Sequence, residues 1–209
     1  MIKRNYKLEL EQLLDSLQGD KKSLLLHSCC APCSSYTLEY LSSHFDITVF
    51  YYNPNITDKE EYRKRVEEQI RFINQYPFYN QVSYLEGNYN PDDFYTVAKG
   101  KETQSEGGSR CFACYELRLQ ETAKIAKEKG FDYFTTTLSI SPHKNADKLN
   151  VIGERVGEEY GVPFLPSDFK KKNGYKRSIE LSKEYNLYRQ EYCGCEFSKR
   201  AALDKPGEE

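Results

Sequence analysis

Apolar residues recur along this chain in two alternating rhythms. Short runs rich in leucine, β-branched and aromatic residues, SLLLHS (23–28), ITVFYY (47–52), VSYLEG (82–87), YFTTTL (133–138) and, more weakly, VPFLPS (162–167), read as strands. Between them, apolar positions fall at helical spacing over 34–44, 58–76, 91–99, 112–129, 145–160 and 176–187. Thr57-Asp58-Lys59-Glu60 has the form of a capping box, and Gly130 and Gly161 stand where two helices should stop. Leu8, Leu10, Leu13, Leu14 and Leu17 add a helix within 1–20. Strand and helix alternating in this way predict βαβ units, hence an α/β fold of the Rossmann type, a parallel sheet with helices on both faces. Positions 1–209 read as a single domain with a core over 20–200 and a flexible tail at 201–209.

Composition narrows the setting. The N-terminal segment lacks an unbroken apolar stretch, and no run approaches the roughly 18 apolar residues of a membrane span. The expectation is a cytoplasmic protein with no membrane partner. A net charge of −2 argues against a generic nucleic-acid binder. Locally, however, Lys170, Lys171, Lys172, Lys176 and Arg177 face one acid, Asp168, within DFKKKNGYKR. That segment reads either as a basic face for a phosphate backbone or as a solvated lysine-rich turn. The polar stretch GKETQSEGGSR (100–110) reads as a mobile loop.

Cysteine usage changes the picture most. In a reducing compartment, seven cysteines point to metal ligands or redox centres rather than structural disulfides, and an odd number cannot all pair within one chain. They form three clusters. His27-Ser28-Cys29-Cys30-Ala31-Pro32-Cys33 follows the first strand and opens a helix, whose free N–H groups and dipole would stabilise thiolates. Adjacent strand residues point to opposite faces, so Cys29 and Cys30 share a site only if the chain leaves the strand there. Cys111-Phe112-Ala113-Cys114 is a C-x-x-C at a second helix start. The Cys29-Cys30 pair and this C-x-x-C together offer four thiolates, which suit a [4Fe–4S] cluster, although zinc accepts the same ligands. In Cys193-Gly194-Cys195 an internal disulfide would be strained and readily reduced, so the pair reads as an electron relay. Additional metal ligands or idle thiols are the plainer alternatives.

At these residues the chain resembles the QueH-type epoxyqueuosine reductases, which act in the tRNA modification that makes queuosine. The resemblance is carried by LHSCCAPCS (26–34), FYYNPNI (50–56), GGSRCFACYELRL (107–119), FTTTLSISPHKN (134–145), FLPSDFKKKNGY (164–175) and LYRQEYCGCEFS (187–198). It implies a HUP-like sheet related to the PP-loop ATPases, a [4Fe–4S] cluster and cobalamin-independent reduction of epoxyqueuosine to queuosine in tRNA. By resemblance the cluster ligands are Cys29, Cys30, Cys111 and Cys114, and Cys193 and Cys195 are the redox-active disulfide. Cys33 is left without a role, and an additional iron beside the cluster would draw on Cys33 or Asp168.

Turning an epoxide into an alkene consumes two electrons and two protons and releases water, so an electron donor is required. Its identity and the oligomeric state stay open. Asp168 is the candidate hard ligand for a Lewis-acidic metal, or a salt-bridge partner of the neighbouring lysines. His27 and His143 are candidates for proton delivery, or hydrogen-bonding scaffold. Asn53 and Asn55 would hold substrate or build a turn. The rivals are an iron–sulfur tRNA thiolation enzyme, disfavoured because His27-Ser28-Cys29-Cys30 replaces a glycine-rich phosphate loop, a zinc-stapled RNA-binding module, and a thioredoxin-like dithiol enzyme.

Overall fold

The computed structural model describes residues 4–17 and 19–204. Four parallel strands, β1 (Lys22–His27), β2 (Phe45–Tyr51), β3 (Val82–Glu86) and β4 (Tyr133–Thr136), form one sheet in the order β3-β2-β1-β4. The eight α-helices among the described residues are α1 (Tyr6–Ser16), α2 (Ala31–Leu41), α3 (Lys59–Gln75), α4 (Pro91–Ala98), α5 (Ser109–Lys129), α6 (Ala146–Tyr160), α7 (Gly174–Glu184) and α8 (Glu196–Leu203). Alternation within β1 sorts the two layers. Leu24 and Leu26 pack with α1, α2 and α3 through Leu10, Leu38 and Phe72, while Leu25 packs with α5 and α6 through Leu119 and Val156. With both faces covered, the central strand reads as a near-continuous apolar run. The expected α/β architecture is therefore present.

Strand order reverses between β1 and β4, because successive connections first build outward through β2 and β3 and then return to the other side of β1. Such a switch point opens a crevice beyond the carboxyl ends of the strands. The residues that leave β1 and β4 enter that crevice.

Several boundaries differ from expectation. The helix expected over 34–44 begins at Ala31, because Pro32 is compatible with a first turn. The expected fifth strand at 162–167 contributes a single parallel bridge, Phe134 to Phe164. Phe134 N–H donates to Pro163 O at 3.1 Å and Leu165 N–H to Phe134 O at 2.9 Å, while Pro163 and Pro166 have no N–H to extend the ladder. Ala201–Leu203 of the expected flexible tail belong to α8, and 205–209 lie outside the described residues. Segment 100–110 is anchored rather than loose. The buried Arg110 guanidinium donates to the carbonyls of Lys101, Glu102 and Gln104 at 3.3, 2.8 and 2.5 Å.

Close approach fixes one glycine of α6. A Cβ on Gly153 would lie 2.5 Å from ring carbons of Phe164, which itself packs edge-on against Phe134. Gly153→Ala adds about 1 kcal/mol of helix propensity but overpacks this contact at a cost of about 1–3 kcal/mol. Net destabilisation is expected in urea unfolding, and a variant as stable as the parent would remove this account of the packing.

Candidate active site

At the end of β1 the chain turns out of the sheet. Ser28 N–H still bonds Phe50 O at 3.0 Å, and Cys30, with extended backbone (φ −175°, ψ 160°), caps α2. This turn lets adjacent cysteines serve one site, with Cys29 Sγ 3.8 Å from Cys30 Sγ. Cys33, in the first turn of α2, joins them, and the three sulfurs lie within 4.8 Å of one another. Cys33 thus has the place that its sequence position left open. Hydrogen bonds from the Cys29 and Cys33 thiols, with Arg65 and the Gln190 amide (Nε2 to Cys30 Sγ, 2.9 Å), hold the Cys30 thiol well below its usual range. Hydrogen bonding to Cys30 raises Cys29, and hydrogen bonding to Cys29 and Cys30 raises Cys33 well above the usual value. Cys30 is therefore the most acidic sulfur of the triad, with Cys29 and Cys33 hydrogen-bonded to it.

The second cluster opens α5, one helix start away. Gly107 N–H donates to Cys111 Sγ at 3.3 Å, and burial pushes the Cys114 thiol up to about 11. One turn on, the fully buried Arg118 donates through Nε to Cys114 O at 3.2 Å and through Nη1 to Asn53 Oδ1 at 3.5 Å. Asn53 in turn donates to Ser28 O at 2.8 Å. A chain of hydrogen bonds thereby ties the turn that carries Cys29 to the turn that carries Cys114. Arg118 Nη2 finds no hydrogen-bond partner among the described residues, and Arg118 lines a cavity with Cys111, Cys114, Cys193 and Cys195.

The third cluster is held by cations. Arg65 donates to Cys193 O at 3.1 Å and Tyr192 O at 3.3 Å, and Lys144 Nζ donates to Cys193 Sγ at 3.0 Å. Gly194 adopts φ +125°, open to glycine, where a Cβ would also strike Ile56 at 2.8 Å. Cys195 caps α8 and accepts from Ser198 N–H at 3.4 Å, while burial raises its thiol. Cys193 also lines a second cavity of about 270 Å³ with Cys29, Cys33, His143 and Tyr175.

Not every expected residue reaches these cavities. His27 is fully buried, with Nδ1 2.8 Å from Thr136 Oγ1 and Nε2 3.1 Å from Tyr52 O. Burial and the Arg118 charge push it down to about 3, so near neutrality it is an uncharged latch between strand ends. Asp168 pairs with Lys170 at 2.9 Å and lines a separate hollow beside Arg4 and Lys172, away from the thiols. Lys172 and Arg177 are likewise taken up by Glu11 and Glu39, both at 2.6 Å, so the basic segment is largely neutralised within the chain.

Motif and periodicity alone give no individual role to Arg65, Arg118, Lys144 or Gln190. Two had a signal. Arg65 falls on the buried stripe Tyr62, Arg65, Gln69, Phe72 of α3, and Arg118 on the stripe Cys114, Arg118, Thr122 of α5. A charge at a core position of an amphipathic helix requires a counter-charge nearby.

Thiols and buried cations gathered at the switch point of a parallel α/β sheet define a thiol-dependent redox or metal enzyme. The family model of epoxyqueuosine reductase QueH matches residues 24–201. Epoxyqueuosine reductase QueH of Staphylococcus epidermidis is 46% identical over 204 residues, covering 94% of this chain and 85% of that protein. Its counterpart in Streptococcus pyogenes serotype M1 is 44% identical over 202 residues, covering 95% and 79%. The chain belongs to the QueH family of epoxyqueuosine reductases and is an oxidoreductase. Among solved structures, the U34-tRNA thiolase NcsA from Methanococcus maripaludis with its [4Fe–4S] cluster aligns with a TM-score of 0.50 at 11% identity, covering 94% of this chain and 71% of that one. This likeness bears on the fold alone. It places the thiolation rival in the same architecture, and family membership separates the two.

Proposed function

We propose that this protein reduces epoxyqueuosine to queuosine in tRNA in the cytoplasm, holding an iron–sulfur cluster on Cys29, Cys30, Cys111 and Cys114 and storing electrons on Cys193 and Cys195. The observation that carries the ligand assignment is the bonded path Ser28–Asn53–Arg118–Cys114. It couples the two thiol-bearing turns, and Arg118, whose buried Nη2 has no partner among the described residues, lines the same cavity as Cys111 and Cys114. A tetrathiolate cluster is anionic, so the donor set and the unpartnered cation fit it. When bound, the cluster supplies electrons one at a time, and an additional iron held with the help of Cys33 supplies a Lewis acid.

The chain's own groups do the rest. Lys144, Arg65 and Arg118 compensate negative charge at the thiols. The cavity of about 270 Å³ opens beside Cys29, Cys33 and Cys193 and would admit the modified base. His143, which borders it, is placed to exchange a proton, whereas His27 is not. Asp168 would have to leave Lys170 to reach a metal.

The test is anaerobic turnover of epoxyqueuosine-containing tRNA without cobalamin or ATP, with nucleosides followed by mass spectrometry. Loss of one oxygen from the nucleoside is expected. Protein carrying zinc and no acid-labile sulfide would overturn the cofactor assignment. Cys193→Ser with Cys195→Ser should slow multiple turnover at least about tenfold, and an unchanged rate would remove the storage role.

A further inference from the structure

The two sulfurs of Cys193-Gly194-Cys195 have opposed surroundings. Cys195 is buried beside Phe94, Phe197 and Cys114 and receives the Ser198 N–H. Cys193 is partly exposed, borders both thiol-lined cavities and receives the Lys144 ammonium at 3.0 Å. Lys144 is itself buried, and its other anionic neighbour, Glu106, lies 3.5 Å away with a side chain 43% exposed. Tyr115, Cys114, Arg118 and Arg110 line the same cavity. Burial opposes the charge on Lys144, yet the Cys193 sulfur, Tyr115 and Glu106 hold the ammonium well above the usual lysine range. A desolvated ammonium on one sulfur of a close pair makes the pair electrostatically asymmetric.

We propose that Lys144 is a positioning residue for the redox pair, holding Cys193 as the thiolate of the reduced form and so making Cys193 the sulfur that exchanges with an external dithiol reductant through the open cavity. This inference rests on the reading of Cys193 and Cys195 as an electron store. One thiolate of the reductant attacks the Cys193 sulfur, the Cys193–Cys195 bond breaks, and Cys195 leaves and takes up the proton of that first thiol. The second reductant thiol then attacks the mixed disulfide as its thiolate, giving its proton to solvent. Cys193 is released as a thiolate against Lys144, and the reductant departs as a disulfide. Two electrons have moved from the reductant sulfurs to the pair, and one of the two thiol protons remains on Cys195.

The test is the rate at which iodoacetamide alkylates Cys193 and Cys195 in the reduced, metal-loaded protein, read by peptide mass spectrometry from neutral to alkaline pH. Lys144→Gln, which removes the ammonium 3.0 Å from the Cys193 sulfur, should slow its alkylation at neutral pH about tenfold. The difference should close at alkaline pH, Cys195 should be unaffected, and Lys144→Arg should restore the parent rate. Should Lys144→Gln not fold, Lys144→Met, which puts an apolar chain of similar length in the same space, gives the same reading. Equal Cys193 rates in the parent and the neutral variant would overturn the proposal, as would equal slowing in the arginine variant. Alkylation needs no epoxyqueuosine, so its result stands apart from the function. If the double serine variant keeps multiple turnover while Lys144 still governs alkylation, the storage reading fails and the role of Lys144 at Cys193 survives.

Discussion

Cys30→Ala is expected to yield protein without acid-labile sulfide and with reductase activity lowered more than about a hundredfold, beyond the 10–100-fold that loss of a supporting residue around a metal costs. Cys30 is the sulfur on which the surroundings converge. It caps α2, receives hydrogen bonds from its two neighbouring thiols and from Gln190, and faces Arg65. An alanine there removes the favoured thiolate and leaves the Gln190 amide and the Arg65 charge without their partner. Cys33→Ala should behave differently, keeping sulfide while losing iron, if Cys33 serves the proposed additional iron rather than the cluster. Cys114→Ala should resemble Cys30→Ala. Iron and sulfide analysis of the three variants decides the ligand set. Sulfide lost from Cys33→Ala but kept in Cys114→Ala would move the cluster onto the Cys29, Cys30 and Cys33 triad, whose sulfurs lie closest together.

That alternative shows where sequence ran out. The alternation of apolar runs was enough for the parallel sheet and its two helical layers, since burial of Leu24, Leu25 and Leu26 on both faces is written directly in the residues. Strand ends and helix starts then pointed to the cysteine turns, because a parallel sheet collects ligands there. Pairing among the clusters was a different matter. Cys33 lies three residues beyond Cys30, and that spacing becomes a contact only once Cys30 is the cap and α2 starts at Ala31, a boundary expected three residues later. Residues 162–167 have the apolar character of a strand, but two prolines withhold the donors a ladder needs. The roles of Arg65, Arg118 and Lys144 depend on segments tens of residues apart, and apolar periodicity carries no information about which charge meets which thiol. Asp168 illustrates the converse, since its ion-pair partner is the nearest lysine in the sequence, Lys170.

Arg118 provides the sharpest energetic test, because its substitution should have opposite signs with and without metal. A guanidinium taken wholly out of water loses several kcal/mol of hydration, and here it has weak repayment from the protein. Its bond to Asn53 Oδ1 is long at 3.5 Å, its bond to Cys114 O is 3.2 Å, and Nη2 has no partner among the described residues. Arg118→Met removes that desolvated charge and leaves a chain of similar length. Against this stands the cost of about 1–3 kcal/mol for leaving the Asn53 carbonyl unpaired. Replacing a buried ion by an apolar side chain is commonly neutral or stabilising by about 1–4 kcal/mol, so the variant prepared without metal is expected to unfold at equal or higher urea than the parent. With metal bound the guanidinium faces an anionic group, and the sign turns over. The loaded variant should release iron to a chelator roughly 10–100 times more readily, as loss of a supporting residue does. A variant destabilised alike in both preparations would make Arg118 a structural strut between α5 and the β1 turn, with no part in holding the cluster.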